Sequence, residues 1–196
     1  LSSSSARLAE REERLKAIQS GGAEPLKGSP CSPDIAECDW LEKIWNNCKE
    51  FGMVFPRRIL YAFHTALKIS DWSMITVLSG VSGTGKSELP KLYAAFGGMN
   101  FISVPVQPSW DSQESMLGFF NSIDNRFEPE PLLRFLYQCT ENTAFSDYMS
   151  IVLLDEMNLA HVEHYFADFL SKLENRRSTD KNTLPEVEVK LGAGVE

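Results

Sequence analysis

Apolar positions along this chain fall into two regular patterns, separated by stretches with neither. Five sets recur every three to four residues, as one face of a helix requires. They are Leu41, Ile44, Trp45 and Cys48; Leu60, Phe63 and Leu67; and Leu89, Leu92, Tyr93 and Phe96. Leu132, Phe135, Leu136 and Cys139 follow, and then Leu159, Val162, Phe166, Phe169 and Leu173, which predict one long helix. Three short runs are instead continuously apolar and rich in β-branched residues: 74–79, 101–106 and 151–154. Such runs read as strands, the last of them buried on both faces as parallel sheets demand. Helices alternating with strands of this kind predict an α/β fold.

Punctuation residues set the ends of these elements. Asp34 and Glu37 have capping-box spacing, and Gly52 stops the helix behind them. Pro56 suits the first position of the next helix, Gly97 and Gly98 close the third, and Pro131 opens a later one. Pro105 cannot donate to a ladder, so the strand containing it is expected at a sheet edge. Asp111 and Glu114 predict a short capped helix running through Phe119 and Phe120, and Asp124-Asn125 a tight turn between two arms. The polar tail carries a short strand at 186–191. Residues 1–20 hold mixed charges and few apolar positions, which suits an exposed helix. The Gly- and Pro-rich residues 21–34 read as a linker. The expected division is therefore 1–34, exposed helix and linker, and 35–196, the α/β core.

One stretch changes the picture from fold to chemistry. Gly80, Val81, Ser82, Gly83, Thr84, Gly85, Lys86 and Ser87 fit the pattern G-x-x-x-x-G-K-[ST]. A predicted strand precedes it and a predicted helix follows, which is the context the pattern needs. Glycines let successive backbone N–H groups turn inward toward phosphate oxygens, and the helix N-terminus adds partial positive charge. Lys86 supplies a point charge for the β- and γ-phosphates, and the Ser87 hydroxyl a ligand for Mg²⁺. Glu88, the next residue, completes the nucleotide-binding set. The competing reading, a Gly/Ser-rich turn with a solvated lysine, does not account for the flanking strand and helix.

A second stretch complements the first. Asp155 and Glu156 end the apolar strand 151–154, at the carboxyl end of a strand where open α/β sheets bind ligands. Asp155 suits a water-mediated Mg²⁺ ligand, and Glu156 a general base for an attacking water. Together with Lys86, Glu156 forms the expected catalytic pair.

Composition adds exclusions. A net charge of −8 leaves no overall basic footprint for nucleic acid or an anionic membrane surface. The four cysteines, Cys31, Cys38, Cys48 and Cys139, lack metal-site spacing and read as reduced thiols in a cytoplasmic protein. His64 lies beside a helix stripe and reads as a packed or half-exposed residue rather than a ligand. His161 and His164 have no acid or cysteine to complete a metal set and read as surface residues. No apolar run has the length of a membrane span. The first residue is Leu1 rather than Met, which suggests a piece of a longer chain.

In these stretches the chain resembles an AAA+ ATPase, in particular the McrB-like branch, the nucleotide-driven motors of modified-cytosine restriction systems. The resemblance is carried by LSGVSGTGKS at 78–87 with Leu89 and Pro90, VQPSW at 106–110 and LGFFN at 117–121. LLDEMNLA at 153–160 and FADFL at 166–170 complete it. It spans about residues 55–177. The resemblance implies a three-layer P-loop NTPase fold with a parallel sheet ordered 5-1-4-3-2, preceded by helices and incomplete at the C-terminus. It implies Mg²⁺ with ATP, or GTP as the alternative, and a homo-oligomeric ring, commonly hexameric. DNA and a partner nuclease enter by the same route. Residues 121–129 resemble a hairpin that this branch inserts. Gln107 resembles a residue that holds Glu156 inactive until a partner binds. The sensor asparagine, arginine finger and helical lid of the family fall beyond Glu196, so this chain alone is expected to bind nucleotide and turn it over near background.

Two readings from other classes compete with a motor ATPase that remodels DNA or protein. A nucleotide-gated scaffold would bind without turnover. A small-molecule kinase would need an acceptor site and an arginine-bearing lid, for which the sequence offers no candidate. An ABC-type ATPase is disfavoured by the lack of a Ser-Gly-Gly-Gln-like signature before the Asp155 strand.

Overall fold

The computed structural model describes residues 35–70, 72–141, 148–175 and 187–192, together with isolated helical positions between residues 6 and 16. The chain divides into two compact units. One comprises Leu26–Ser103 and Asp147–Leu153, and the other Leu1–Pro25, Val104–Ser146 and Leu154–Glu196.

In the first unit, helices α1 (Glu37–Glu50), α2 (Arg57–Lys68) and α3 (Glu88–Gly97) turn their periodic apolar faces to one core. Leu41, Ile44 and Cys48 come from α1, Leu60 and Phe63 from α2, and Leu89, Leu92, Tyr93 and Ala94 from α3; Phe55, Phe101 and Ile151 complete it. The stripes predict these faces correctly, because a helix has only one way to bury residues spaced three and four apart. The helix begins later than the capping-box spacing predicts. Ala36 is the N-cap of α1, without a side-chain cap bond, and Asp34 lies outside the described residues. The Glu37 carboxylate instead takes two hydrogen bonds from Lys68 and one from His64, at 2.7–2.9 Å. His64 is the packed residue expected. Pro56 sits one position before α2 as its N-cap, and its carbonyl accepts from Ile59 and Leu60.

Strands β1 (Asn100–Pro105) and β4 (Ser150–Asp155) pair with each other. Asn100 N donates to Met149 O and Val106 N to Asp155 O, so both chains advance together and the pair is parallel. The mixed α/β class is therefore present. Residues 74–79 correct the reading. They form no ladder with any described strand, and Met74 and Val77 are 56% and 78% exposed. Leu78 alone of their large side chains packs on the core. An apolar β-branched run dictates an extended backbone but becomes a strand only beside a partner, and no described strand pairs with this one.

The second unit holds the antiparallel hairpin β2 (Gly118–Asn121) and β3 (Arg126–Pro129), registered Gly118 to Pro129 and Asn121 to Arg126. Asn125 takes a left-handed conformation in its turn, φ 50°, as the Asp124-Asn125 pair predicts. The preceding helix, α4 (Gln113–Leu117), stops before Phe119 and Phe120, contrary to expectation. Gly118 ends it: its φ is 123°, and a Cβ there would lie 2.4 Å from Glu128 O. Helix α5 (Pro131–Glu141) begins at the predicted proline and buries Leu132 and Phe135.

The long helix expected over 159–173 is broken. A 3₁₀ turn (Met157–Leu159), a single turn α6 (Val162–Tyr165) and α7 (Ala167–Asn175) replace it. Leu159 is exposed, while Tyr165, absent from the predicted stripe, is fully buried. Past Leu159 the stripe persists in part: Val162, Phe166, Phe169 and Leu173 are half-buried among exposed neighbours, and Phe166 stacks on Phe169. His161 and His164 are exposed, as expected. Residue 186 lies outside the described residues, 187–191 form no strand, Gly192 makes an isolated bridge, and Leu191 packs with Phe127. Among the described residues no helix is long and apolar enough to cross a membrane.

Candidate functional site

The glycine loop connects the extended residues 74–79 to α3, whose N-cap is Ser87 and whose first residue is Glu88. Gly80, Gly83 and Gly85 have φ of 150°, 78° and 80°. These values lie where a Cβ is strained, so the glycines are needed for the turn and not merely tolerated. Residues 80–84 are exposed and Gly85 to Glu88 half-buried. The loop is closed internally through one carbonyl. Val81 O accepts from Lys86 Nζ at 2.7 Å and from Thr84 Oγ1 at 3.0 Å. The Val81 side chain itself is exposed, as is Ser82. Glu88 pairs with Lys91 one turn on, at 3.4 Å, so its carboxylate is engaged on the helix surface.

This arrangement has the features of an anion cradle. Three glycines of positive φ lead into the N-terminus of an α-helix, whose dipole places partial positive charge there. A lysine folds back over it. The loop is seated at one end only. A Cβ on Gly85 would meet Phe55 Cε1 at 3.0 Å and Met53 Cε at 3.3 Å, whereas one on Gly83 would meet nothing within 4 Å.

In the second unit, Asp155 ends β4 half-buried and Glu156 follows exposed. Glu156 has φ 56° and ψ 44°, a left-handed conformation that costs a residue with a Cβ about 1–2 kcal/mol. Its N–H donates to its neighbour's carboxylate, Asp155 Oδ1, at 3.1 Å, which orients that carboxylate. The turn is pinned from three sides. Val106 N donates to Asp155 O at 2.9 Å, Leu159 N to Glu156 O at 2.9 Å, and Tyr165 Oη to Met157 O at 3.3 Å. Tyr165 packs edge-on against Trp110, with ring centroids 5.3 Å apart. Burial, with a smaller contribution from the Glu163 charge, pushes the Tyr165 hydroxyl above its ordinary pKa and keeps it a donor.

The predicted residues thus gather into two sets, each within one unit: 80–88 in the first, and Asp155 with Glu156 in the second. Periodicity gives no sign of Phe55, Met53 or Tyr165, because the first two lie in a connection and the third interrupts the stripe. Donor chemistry fits the implied metal. A serine hydroxyl and a carboxylate are hard oxygen ligands, and Mg²⁺ takes one or two such groups beside phosphate oxygens and water. Among the described residues no group of three or more His, Cys, Asp and Glu is placed to hold a metal. Comparison with protein-family models, with curated proteins and with solved structures finds no match to this chain.

Proposed function

We propose that this chain is a nucleotide-binding module of the AAA+ type, taking Mg-ATP, or GTP as the alternative, in the loop 80–88. Within a ring assembly it hydrolyses the nucleotide to drive remodelling or translocation of DNA, and a restriction or defence system is the setting the resemblance implies. One observation carries the reading: three left-handed glycines lead into a helix N-terminus under a lysine that folds over them. Lys86 would hold the β- and γ-phosphates, and the backbone N–H groups of 81–86 would surround them. Ser87 and Asp155 would be ligands of Mg²⁺, which neutralises charge on the phosphates. Glu156 would take the proton of the attacking water.

The strand pairing supports the finer fold. In the order 5-1-4-3-2, the strand after the P-loop helix lies beside the strand bearing the acids, and β1 and β4 are such neighbours. The same order flanks residues 74–79 with two strands that follow the acid-bearing strand in the chain. Among the described residues that segment has no ladder.

The test is binding of MgATP and MgGTP by calorimetry, followed by turnover in the assembled ring. Saturable binding lost in Lys86→Ala supports the reading, and no binding of either nucleotide refutes it. Glu156→Gln separates motor from scaffold: a motor loses turnover yet keeps nucleotide and assembly, while a scaffold is indifferent.

A further inference from the structure

Two of the three loop glycines have open space where a side chain would stand. A Cβ on Gly80 would meet only Lys86 and Thr84, at 4.0 Å, and one on Gly83 nothing within 4 Å. Gly85 differs. Its Cβ position is occupied by a floor made of Phe55 Cε1, 3.0 Å away, Met53 Cε at 3.3 Å and Phe55 Cζ at 3.7 Å. The floor belongs to the connection between α1 and α2, far from the loop in sequence.

That connection is held by bonds of its own. Met53 N donates to Cys48 O at 2.9 Å, and Trp45 Nε1 to Phe55 O at 2.8 Å. The Arg57 guanidinium lies 4.5 Å from the centre of the Trp45 ring and pairs with Glu42 at 2.8 Å. Phe55 is 6% exposed and belongs to the core of its unit. A flexible glycine turn therefore rests on a rigid apolar edge.

We propose that Phe55 and Met53 are positioning residues for the phosphate loop. They fix Gly85 in its left-handed conformation, so that the loop holds one shape before any ligand arrives. The affinity part of this proposal rests on the reading that the loop binds nucleotide. Ordering a loop at the moment of binding weakens affinity, and a loop ordered in advance avoids that loss. Phe55 also ties the loop to Trp45, so a displacement of α1 would reach the phosphates through one aromatic ring.

The experiment uses the full ¹⁵N-labelled chain, with Phe55→Leu, Met53→Ala and the conservative Met53→Leu. Backbone ¹⁵N relaxation is measured at Gly83, Gly85 and Lys86 and across α2, beside MgATP affinity by calorimetry below the unfolding transition. Phe55→Leu and Met53→Ala are expected to free the loop amides on the ps–ns timescale while α2 amides keep their order. The MgATP dissociation constant should rise about tenfold, and Met53→Leu should restore both. A purely structural role would lower the melting temperature and leave loop motion unchanged. Unchanged loop amides in both variants therefore overturn the proposal whatever the affinity. Failure of the wild-type chain to bind MgATP, with loop amides responding as expected, overturns the nucleotide reading and leaves the floor standing.

Discussion

Lys86 Nζ donates to Val81 O at 2.7 Å, spanning the loop it belongs to. Ammonium groups have three donors and no acceptor. One carbonyl therefore gives this lysine an anchor without matching its charge, and an arriving phosphate would supply the anionic partner. Charge-assisted hydrogen bonds contribute about 1.5–3 kcal/mol each, so Lys86→Ala should weaken MgATP binding by roughly a hundredfold. Because among the described residues the ammonium bonds within its own exposed loop, the melting temperature should barely move. A calorimetric titration and a thermal melt of one sample check both halves, and an affinity within threefold of wild type would remove Lys86 from the site.

Glu156 is held left-handed, and asparagine tolerates that conformation better than glutamate. Glu156→Asn should therefore stabilise the fold by about 0.5–1 kcal/mol, read as a higher midpoint in urea. A general base would be lost in the same change, so turnover by the assembled protein should fall. Stability and activity moving in opposite directions would mark strain retained for function. Destabilisation by asparagine would show that the glutamate side chain is needed to hold the turn.

The helix faces and the glycine loop were legible because each rests on local rules. Leu41, Ile44 and Cys48, or Leu89, Leu92 and Tyr93, can be buried together on one helix, and the loop glycines sit at angles that other residues avoid. What failed depends on distant partners. Residues 74–79 read as a strand but pair with no described strand. Phe119 and Phe120 look helical until Gly118 meets Glu128 O, a contact across the hairpin. Tyr165 finds its place through Trp110 and the Met157 carbonyl, neither of which leaves a periodic trace. The seat of the loop on Phe55 left no such trace, because Phe55 lies in a connection outside the periodic faces.

Gly118 offers a sharp test of the hairpin. Its φ is 123°, and an added Cβ would lie 2.4 Å from Glu128 O, 2.8 Å from Pro129 Cα and 3.0 Å from Glu130 N. All three are backbone atoms and cannot turn aside as a side chain can. Gly118→Ala should cost on the order of 3 kcal/mol or more, combining left-handed strain with displacement of β3. Chemical denaturation measures it. A loss below about 1 kcal/mol would mean that the hairpin packs differently from this register.

Alkaline pH probes the link between α2 and α3. His64 Nε2 lies 2.7 Å from Glu37 Oε1, and Nδ1 lies 2.7 Å from Tyr93 Oη. A carboxylate only accepts, so Nε2 carries the proton and, in the neutral ring, Nδ1 accepts from the Tyr93 hydroxyl. Burial, reinforced by the Glu37 charge, pushes the Tyr93 hydroxyl well above its ordinary value of 10.0. With the folded pKa above the unfolded one, the folded state binds more protons at high pH. The stabilisation is complete below pH about 10 and is lost progressively above it. Unfolding free energy should therefore fall between pH 9 and 11, partly through Tyr93. Tyr93→Phe should be less stable at neutral pH by about 1–2 kcal/mol, since His64 Nδ1 loses its donor, and should show a shallower alkaline slope. Urea titrations of both proteins across that range decide the matter. Equal slopes would assign the alkaline loss to other groups.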